Sequence, residues 1–255
     1  MPTDLVFFFK ALPPKEAAKL PWPGPVKLIP VDIPPSLVCD GIDPRCSSAY
    51  SRLYQSLKDA DGRVLPNFLR RYAAGVTPGR VAFMGFSASH GFLNPLLANE
   101  ADRRDTSAVF LVDASFGGGK TGYQSYVEQA AGGGGLLVAT SSNTGGDDSW
   151  KAVWEAAEQV MGESSASDPA PGMPQPSGGV WRLGEDAFWY RFVDEAGGTE
   201  LSHTQQHVLM KPLLEGHLIP WWRGSSGSKV PWEVLLGLGL VAGGAYAARR
   251  IYLGR

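Results

Sequence analysis

Four short runs of wholly apolar residues, Leu5–Phe9, Val81–Met84, Ala108–Val112 and Leu136–Ala139, constrain this chain more than any other feature. A strand that is apolar at every position has no face for water, so it belongs in the middle of a covered sheet. The stretches between the runs have helix length and period. Ala49–Leu57 puts Leu53 and Leu57 on one face, and residues 62–74 gather Val64, Phe68, Leu69 and Tyr72. Residues 91–98, 121–130 and 150–161 are further helix candidates. Val26–Val31 adds a strand, residues 180–193 one or two more, and 208–218 a helix interrupted near its start by Pro212. This alternation predicts an α/β fold with a mostly parallel sheet flanked by helices.

Composition limits the function classes. The 255 residues are 44% hydrophobic and 19% charged, which fits a folded chain, and the net charge of -2 leaves no basic stripe for nucleic acid. Cys39 and Cys46 lie in a loop-like stretch and are compatible with either a small disulfide loop or free thiols. No metal-ligand spacing and no cofactor motif stands out. The Pro-rich stretch 10–25 and the Ser, Pro and Gly stretch 164–179 read as loops, the second as a mobile one.

In open parallel sheets, ligands gather beyond the C-terminal ends of the strands. Ser87, Asp113 and Asp147 all follow expected strands, so they fall along one edge. Gly85-Phe86-Ser87-Ala88-Ser89 has small residues two before and two after Ser87, between a buried strand and a helix. A sharp strand-to-helix turn of this kind lifts a serine hydroxyl clear and aims a helix N-terminus at it. The segment resembles the α/β-hydrolase family, whose G-x-S-x-G turn has glycine where this chain has Ser89. The ordinary alternative is a strand–helix turn with Ser87 as a helix cap.

The resemblance implies a serine hydrolase acting on an ester or related acyl bond, with a small-molecule or lipid-like acyl substrate. By family order the acid follows a later strand and the histidine comes last. Asp147 or Asp148 stands first as the acid, with Asp113 as rival. His203 stands first as the base, with His207 second; His90 and His217 are remoter. The oxyanion hole would use the backbone N–H of Ala88 and one near Lys10 or Ala11, where many members carry a His-Gly pair. The departures at Ser89 and Lys10-Ala11 keep open a second reading, a hydrolase-like scaffold that has lost catalysis and serves as an anchored interaction protein.

Two other segments invite function. Asp113 to Thr121 ends in Gly-Lys-Thr after a strand, as a phosphate-binding loop does, but Ala114 stands where that loop needs glycine. A mobile glycine loop near the hydrolase cleft is the preferred reading. Val230 to Ala248 is almost entirely apolar, with Trp232 near its start and Arg249-Arg250 after it. The expected organisation is a hydrolase-like domain over 1–222, a tether over 223–229 and an apolar C-terminal helix over 230–255. That helix is expected to anchor the chain to a membrane or to pack on a partner helix through 230–253, the rest of the chain being cytoplasmic.

Overall fold

The computed structural model describes residues 1–11, 13–37, 47–114, 121–142, 147–193 and 201–225, with the side chains of residues 47, 147 and 225 outside that description. The strands are β1 (Thr3–Phe9), β2 (Val26–Val31), β3 (Pro78–Phe86), β4 (Ala108–Val112), β5 (Leu136–Ser141), β6 (Ser165–Ser167), β7 (Val180–Leu183) and β8 (Ala187–Arg191). The helices are α1 (Ser47–Leu57), α2 (Leu65–Tyr72), α3 (His90–Ala98), α4 (Glu100–Arg104), α5 (Thr121–Ala131), α6 (Asp147–Met161), α7 (Met210–Leu213) and α8 (Ile219–Ser225).

All eight strands form one sheet, in the order β2-β1-β3-β4-β5-β8-β7-β6. From β2 to β8 every neighbour pair is parallel, while β8, β7 and β6 pair antiparallel at one edge. The four apolar runs become β1 and the three strands that follow it across the sheet. Leu5, Phe7 and Phe9 of β1 face the main core with Phe83, Val109, Leu111, Leu137 and Ala139, whereas Val6, Phe8, Met84, Phe110 and Val138 are buried away from that cluster. Burial on both faces is why these strands carry no polar alternation.

An aromatic group ties the helices to the sheet. Phe68 of α2 lies edge-on to Phe7 at 4.8 Å, and Phe92 of α3 packs on Phe9 at 5.1 Å. Such pairs add specific geometry to the area they bury. Further along, α3 and α5 approach so closely that a Cβ on Gly122 would collide with the backbone carbonyl of Asn94. The glycine is therefore a packing requirement, and it holds α3 in place behind the turn that carries Ser87.

Several expectations change in detail. Residues 180–193 form two strands, β7 and β8, in a hairpin whose turn places Gly184 at φ 62°. Within 164–179, read as a mobile loop, the structure places the short strand β6 and buries Met173. The single helix expected over 208–218 is α7 followed by a π turn at Leu214–Leu218. Asn99 caps α4, an element without a sequence signal of its own, by accepting from the N–H groups of Ala101 and Asp102.

The expected C-terminal membrane helix is corrected. Among the described residues no helix is long and apolar enough to cross a membrane. Residues 230–255, on which the expectation fell, lie outside the described residues, as do Cys39, Cys46 and the glycine loop 115–120. The physical weakness is already in the sequence: the uncharged run Val234–Ala248 has 15 residues, against about 20 for a straight crossing. The membrane anchor, and the membrane localisation that followed from it, are accordingly dropped.

Candidate active site

Parallel pairing lines up the strand ends. Phe9 pairs with Gly85, Phe86 with Val112, and Val112 with Thr140. Lys10, Ser87, Asp113 and Ser142 are each the first residue beyond β1, β3, β4 and β5, so they stand side by side along one edge. Three of the four turn sharply out of their strands. Lys10, Ser87 and Asp113 have φ of 58°, 53° and 44°, and they are the only non-glycine residues at positive φ among those described. Ordinary residues avoid this region, and their clustering at one sheet edge makes it the candidate functional site.

Ser87 opens a single 3₁₀ turn, Ser87–Ser89, that runs into α3. The turn is tight enough that a Cβ on Gly85 would meet the side chains of Leu93 and Ser89. Small residues are required here for that steric reason. Ser89, in the place of the family's glycine, fits with φ -57° in the right-handed region, but its hydroxyl is fully buried without a hydrogen-bond partner among the described residues.

Ser87 Oγ lies 2.8 Å from His203 Nε2, and His203 Nδ1 lies 2.8 Å from Asp113 Oδ2. A carboxylate accepts only, so Nδ1–H donates to Asp113, and Nε2 is left to accept the serine proton. Asp113 is fully buried. The backbone N–H of Ser142 donates to its Oδ1 at 3.1 Å, and the Ser142 hydroxyl to its Oδ2 at 2.6 Å. Three hydrogen bonds offset the cost of burying the charge and fix the plane of the carboxylate.

His203 is held from several sides. Its ring stacks on Phe86 at 4.9 Å and 18°. It sits in a turn in which the N–H groups of Gln205 and Gln206 bond the carbonyl of Ser202, and the Ser202 hydroxyl donates to Gln205 Oε1. Gln206 is fully buried and accepts from Thr140 Oγ1, which in turn accepts from the N–H of Asp113 at 3.2 Å. One side-chain relay thus joins the histidine turn to the strand ends that carry the acid.

The carboxylate at His203 is Asp113, not Asp147 or Asp148, the residues preferred from sequence. Asp148 is exposed on the first turn of α6, and the Asp147 side chain lies outside the described residues. The reason is local: the turn at Asp113 directs its side chain inward, and the end of β5 supplies the donors that a buried carboxylate needs. His207 is exposed and bonds the carbonyl of Thr204. His90 donates through Nδ1 to the backbone carbonyl of Ser87; burial lowers its pKa, with that bond opposing and the Lys10 charge assisting. His217 accepts from the Tyr190 hydroxyl at 2.7 Å, and burial pushes its pKa down to about 4.

The sequence reading missed two participants. Lys10 Nζ donates to Ser87 Oγ at 3.1 Å, a side-chain contact where only a backbone donor was expected. Ser142 had no signal of its own, because its part depends on which strands are neighbours. Ala88, the expected oxyanion donor, begins the turn behind Ser87 and is buried; Ala11 is partly buried. Beside them lies a groove of about 550 Å³, lined among others by Lys10, Ala11, Phe86, Val208 and Met210. Among the described residues no group of three His, Cys, Asp or Glu side chains is placed to hold a metal ion.

The buried Ser87–His203–Asp113 network, on a mostly parallel sheet flanked by helices, has the form of an α/β-hydrolase triad. No family model, curated protein or solved structure matches the chain.

Proposed function

We propose that this chain is a serine hydrolase that cleaves an ester or related acyl bond. The observation that carries the reading is the unbroken run of hydrogen bonds from Ser87 Oγ through His203 to the buried Asp113. A serine hydroxyl becomes a useful nucleophile when a histidine takes its proton, and the histidine does so when a carboxylate fixes its tautomer.

The steps follow from that geometry. Ser87 Oγ attacks the acyl carbonyl as its proton passes to His203 Nε2, and the carbonyl π pair becomes an oxyanion. Asp113 stabilises the imidazolium without taking its proton. The backbone N–H of Ala88, at the head of the turn, is the oxyanion donor this reading assigns, and the second is the N–H of Ala11. Collapse of the tetrahedral species expels the leaving group, which takes the proton from His203. Water then attacks the acyl-enzyme by the same path and frees Ser87. The groove beside Phe86, with Ala11, Val208 and Met210 in its wall, is the place for an apolar acyl group.

His203 Nε2 at 2.8 Å from Ser87 Oγ favours the hydrolase reading over the scaffold reading. Activity is tested by fluorophosphonate labelling of the full chain beside Ser87→Ala and His203→Ala. Labelling of the wild type, with loss in both folded variants, is expected. A folded wild type that resists both large and small fluorophosphonates refutes the hydrolase reading in favour of the scaffold.

A further inference from the structure

Lys10 occupies a position that a simple triad does not require. It is the first residue beyond β1, holds φ 58°, and is partly buried. A lysine pays for a left-handed backbone in local strain, and such strain persists where the surroundings impose it. The consequence of the bend is that Nζ reaches Ser87 Oγ at 3.1 Å. No carboxylate among the described residues forms an ion pair with Lys10. Its positive charge is therefore directed at the serine oxygen, with Glu16 on the wall of the same groove.

The two hydrogen bonds at Oγ have opposite senses. His203 Nε2 accepts the hydroxyl proton, so Oγ uses a lone pair to accept from the ammonium, which can only donate. When Oγ bonds to the acyl carbon it becomes an ester-type oxygen and a poor acceptor. The oxyanion forms on the same carbon, at an adjacent vertex, and carries a full charge. A flexible ammonium already beside Oγ reaches that vertex by a small swing of its side chain. Its bond is thus stronger in the transition state than in the resting enzyme, which is the condition for catalysis.

We propose that the Lys10 ammonium is a catalytic residue: a side-chain electrophile that moves from Ser87 Oγ to the oxyanion and adds a full charge to the backbone donors there. Lys10 keeps its proton throughout. The serine proton goes to His203 and from there to the leaving group, so atoms and charge balance without a further reactant. The inference rests on the hydrolase reading and specifies how its oxyanion is held.

The test is saturation kinetics of fluorophosphonate labelling on the full chain, because phosphonylation also builds charge on an oxygen beside Oγ. Wild type, Ser87→Ala, His203→Ala, Lys10→Met and Lys10→Arg are compared, with thermal unfolding of each. Lys10→Met is expected to lower the limiting labelling rate by about 100- to 1000-fold, the scale of losing one oxyanion donor. The half-saturating concentration and the melting temperature should stay close to wild type, and Lys10→Arg should recover most of the rate. A merely structural lysine would move the melting temperature and leave the limiting rate alone.

Labelling of Lys10→Met at the wild-type rate overturns the proposal while leaving the hydrolase reading intact. Labelling retained in His203→Ala but abolished in Lys10→Met makes Lys10 the base, and also overturns it. An unlabelled, folded wild type overturns the hydrolase reading and the lysine role together. Should Lys10→Met fail to fold, Lys10→Gln supplies the neutral variant, and a rate equal to Lys10→Arg counts against the charge.

Discussion

Replacing Asp113 with asparagine changes one atom type, and the structure says what that atom meets. The backbone N–H of Ser142 points at Oδ1, so the amide oxygen is held on that side. The amide nitrogen then takes the place of Oδ2, 2.8 Å from His203 Nδ1. A donor now faces Nδ1, which must give up its proton to accept. The proton moves to Nε2, and Nε2 can no longer take the one on Ser87 Oγ. The geometry survives while the tautomer is wrong. A loss of about 10⁴ in kcat is expected, equivalent to about 5.5 kcal/mol of transition-state stabilisation. Folding should change little, because the Ser142 hydroxyl can turn to accept from the amide. The assay is hydrolysis of a small p-nitrophenyl ester by the full chain, with circular dichroism to verify the fold. Asp147→Asn and Asp148→Asn serve as controls and should stay near wild type. Asp113→Asn within tenfold of wild type would refute the reasoning, as would a 10³-fold loss in either control.

Other perturbations read other parts of the structure. Gln206→Ala removes the buried acceptor of Thr140 Oγ1 and loosens the turn that carries His203; a loss of about 1–3 kcal/mol in urea unfolding is expected, with a clear fall in kcat and little change in KM. Ser89→Ala deletes a buried hydroxyl that lacks a partner among the described residues at a helical φ, so a gain of about 1 kcal/mol in thermal unfolding is expected with labelling of Ser87 retained. His217 is held neutral in the fold, with its pKa lowered from 6.5 to about 4. The unfolded chain therefore binds the extra proton between those values. Its contribution is complete above about pH 6.5 and is lost as pH falls toward 4, by about 3 kcal/mol in total. Urea melts of wild type and His217→Gln across that range check this, the variant losing the slope.

The parts of the fold legible in sequence are those whose cause is local. The apolar runs of β1, β3, β4 and β5 exist because each residue is buried on its own account, and Ser87 was found because a tight turn needs small neighbours within two positions. His203 was found by its place after the last strand. The acid was misjudged because its environment is not local: Ser142 and Asp113 are 29 residues apart and meet only through the pairing of β4 with β5. Asp147 and Asp148 follow β5 where the family order places the acid, so the choice between carboxylates rested on chain order. Strand β6 escaped notice because three residues are too few for a period. Lys10 was noticed for its backbone, since the reach of a long side chain depends on a bend that no neighbouring residue announces. The apolar stretch 230–248 was read as a membrane segment because hydrophobicity reports a need for cover without naming what covers it.

Lys10, Ser87, Asp113 and Ser142 follow neighbouring strands of one sheet, and this makes the proposed catalysis a gauge of register. Neighbouring strands lie about 4.8 Å apart, and each residue along a strand turns the next side chain to the opposite face. A chain in which β4 had slipped by one residue against β3 would still bury apolar runs, because β4 and the Val81–Met84 run of β3 are apolar at every position. Far-ultraviolet spectra and melting curves would hardly separate it from the native form. It would nevertheless carry Asp113 on the wrong side of the sheet, and Ser87 would be inert. The uniform hydrophobicity that makes this sheet easy to build leaves its alignment weakly marked, and the fraction of molecules that take an active-site label measures how many strands found their proper partners.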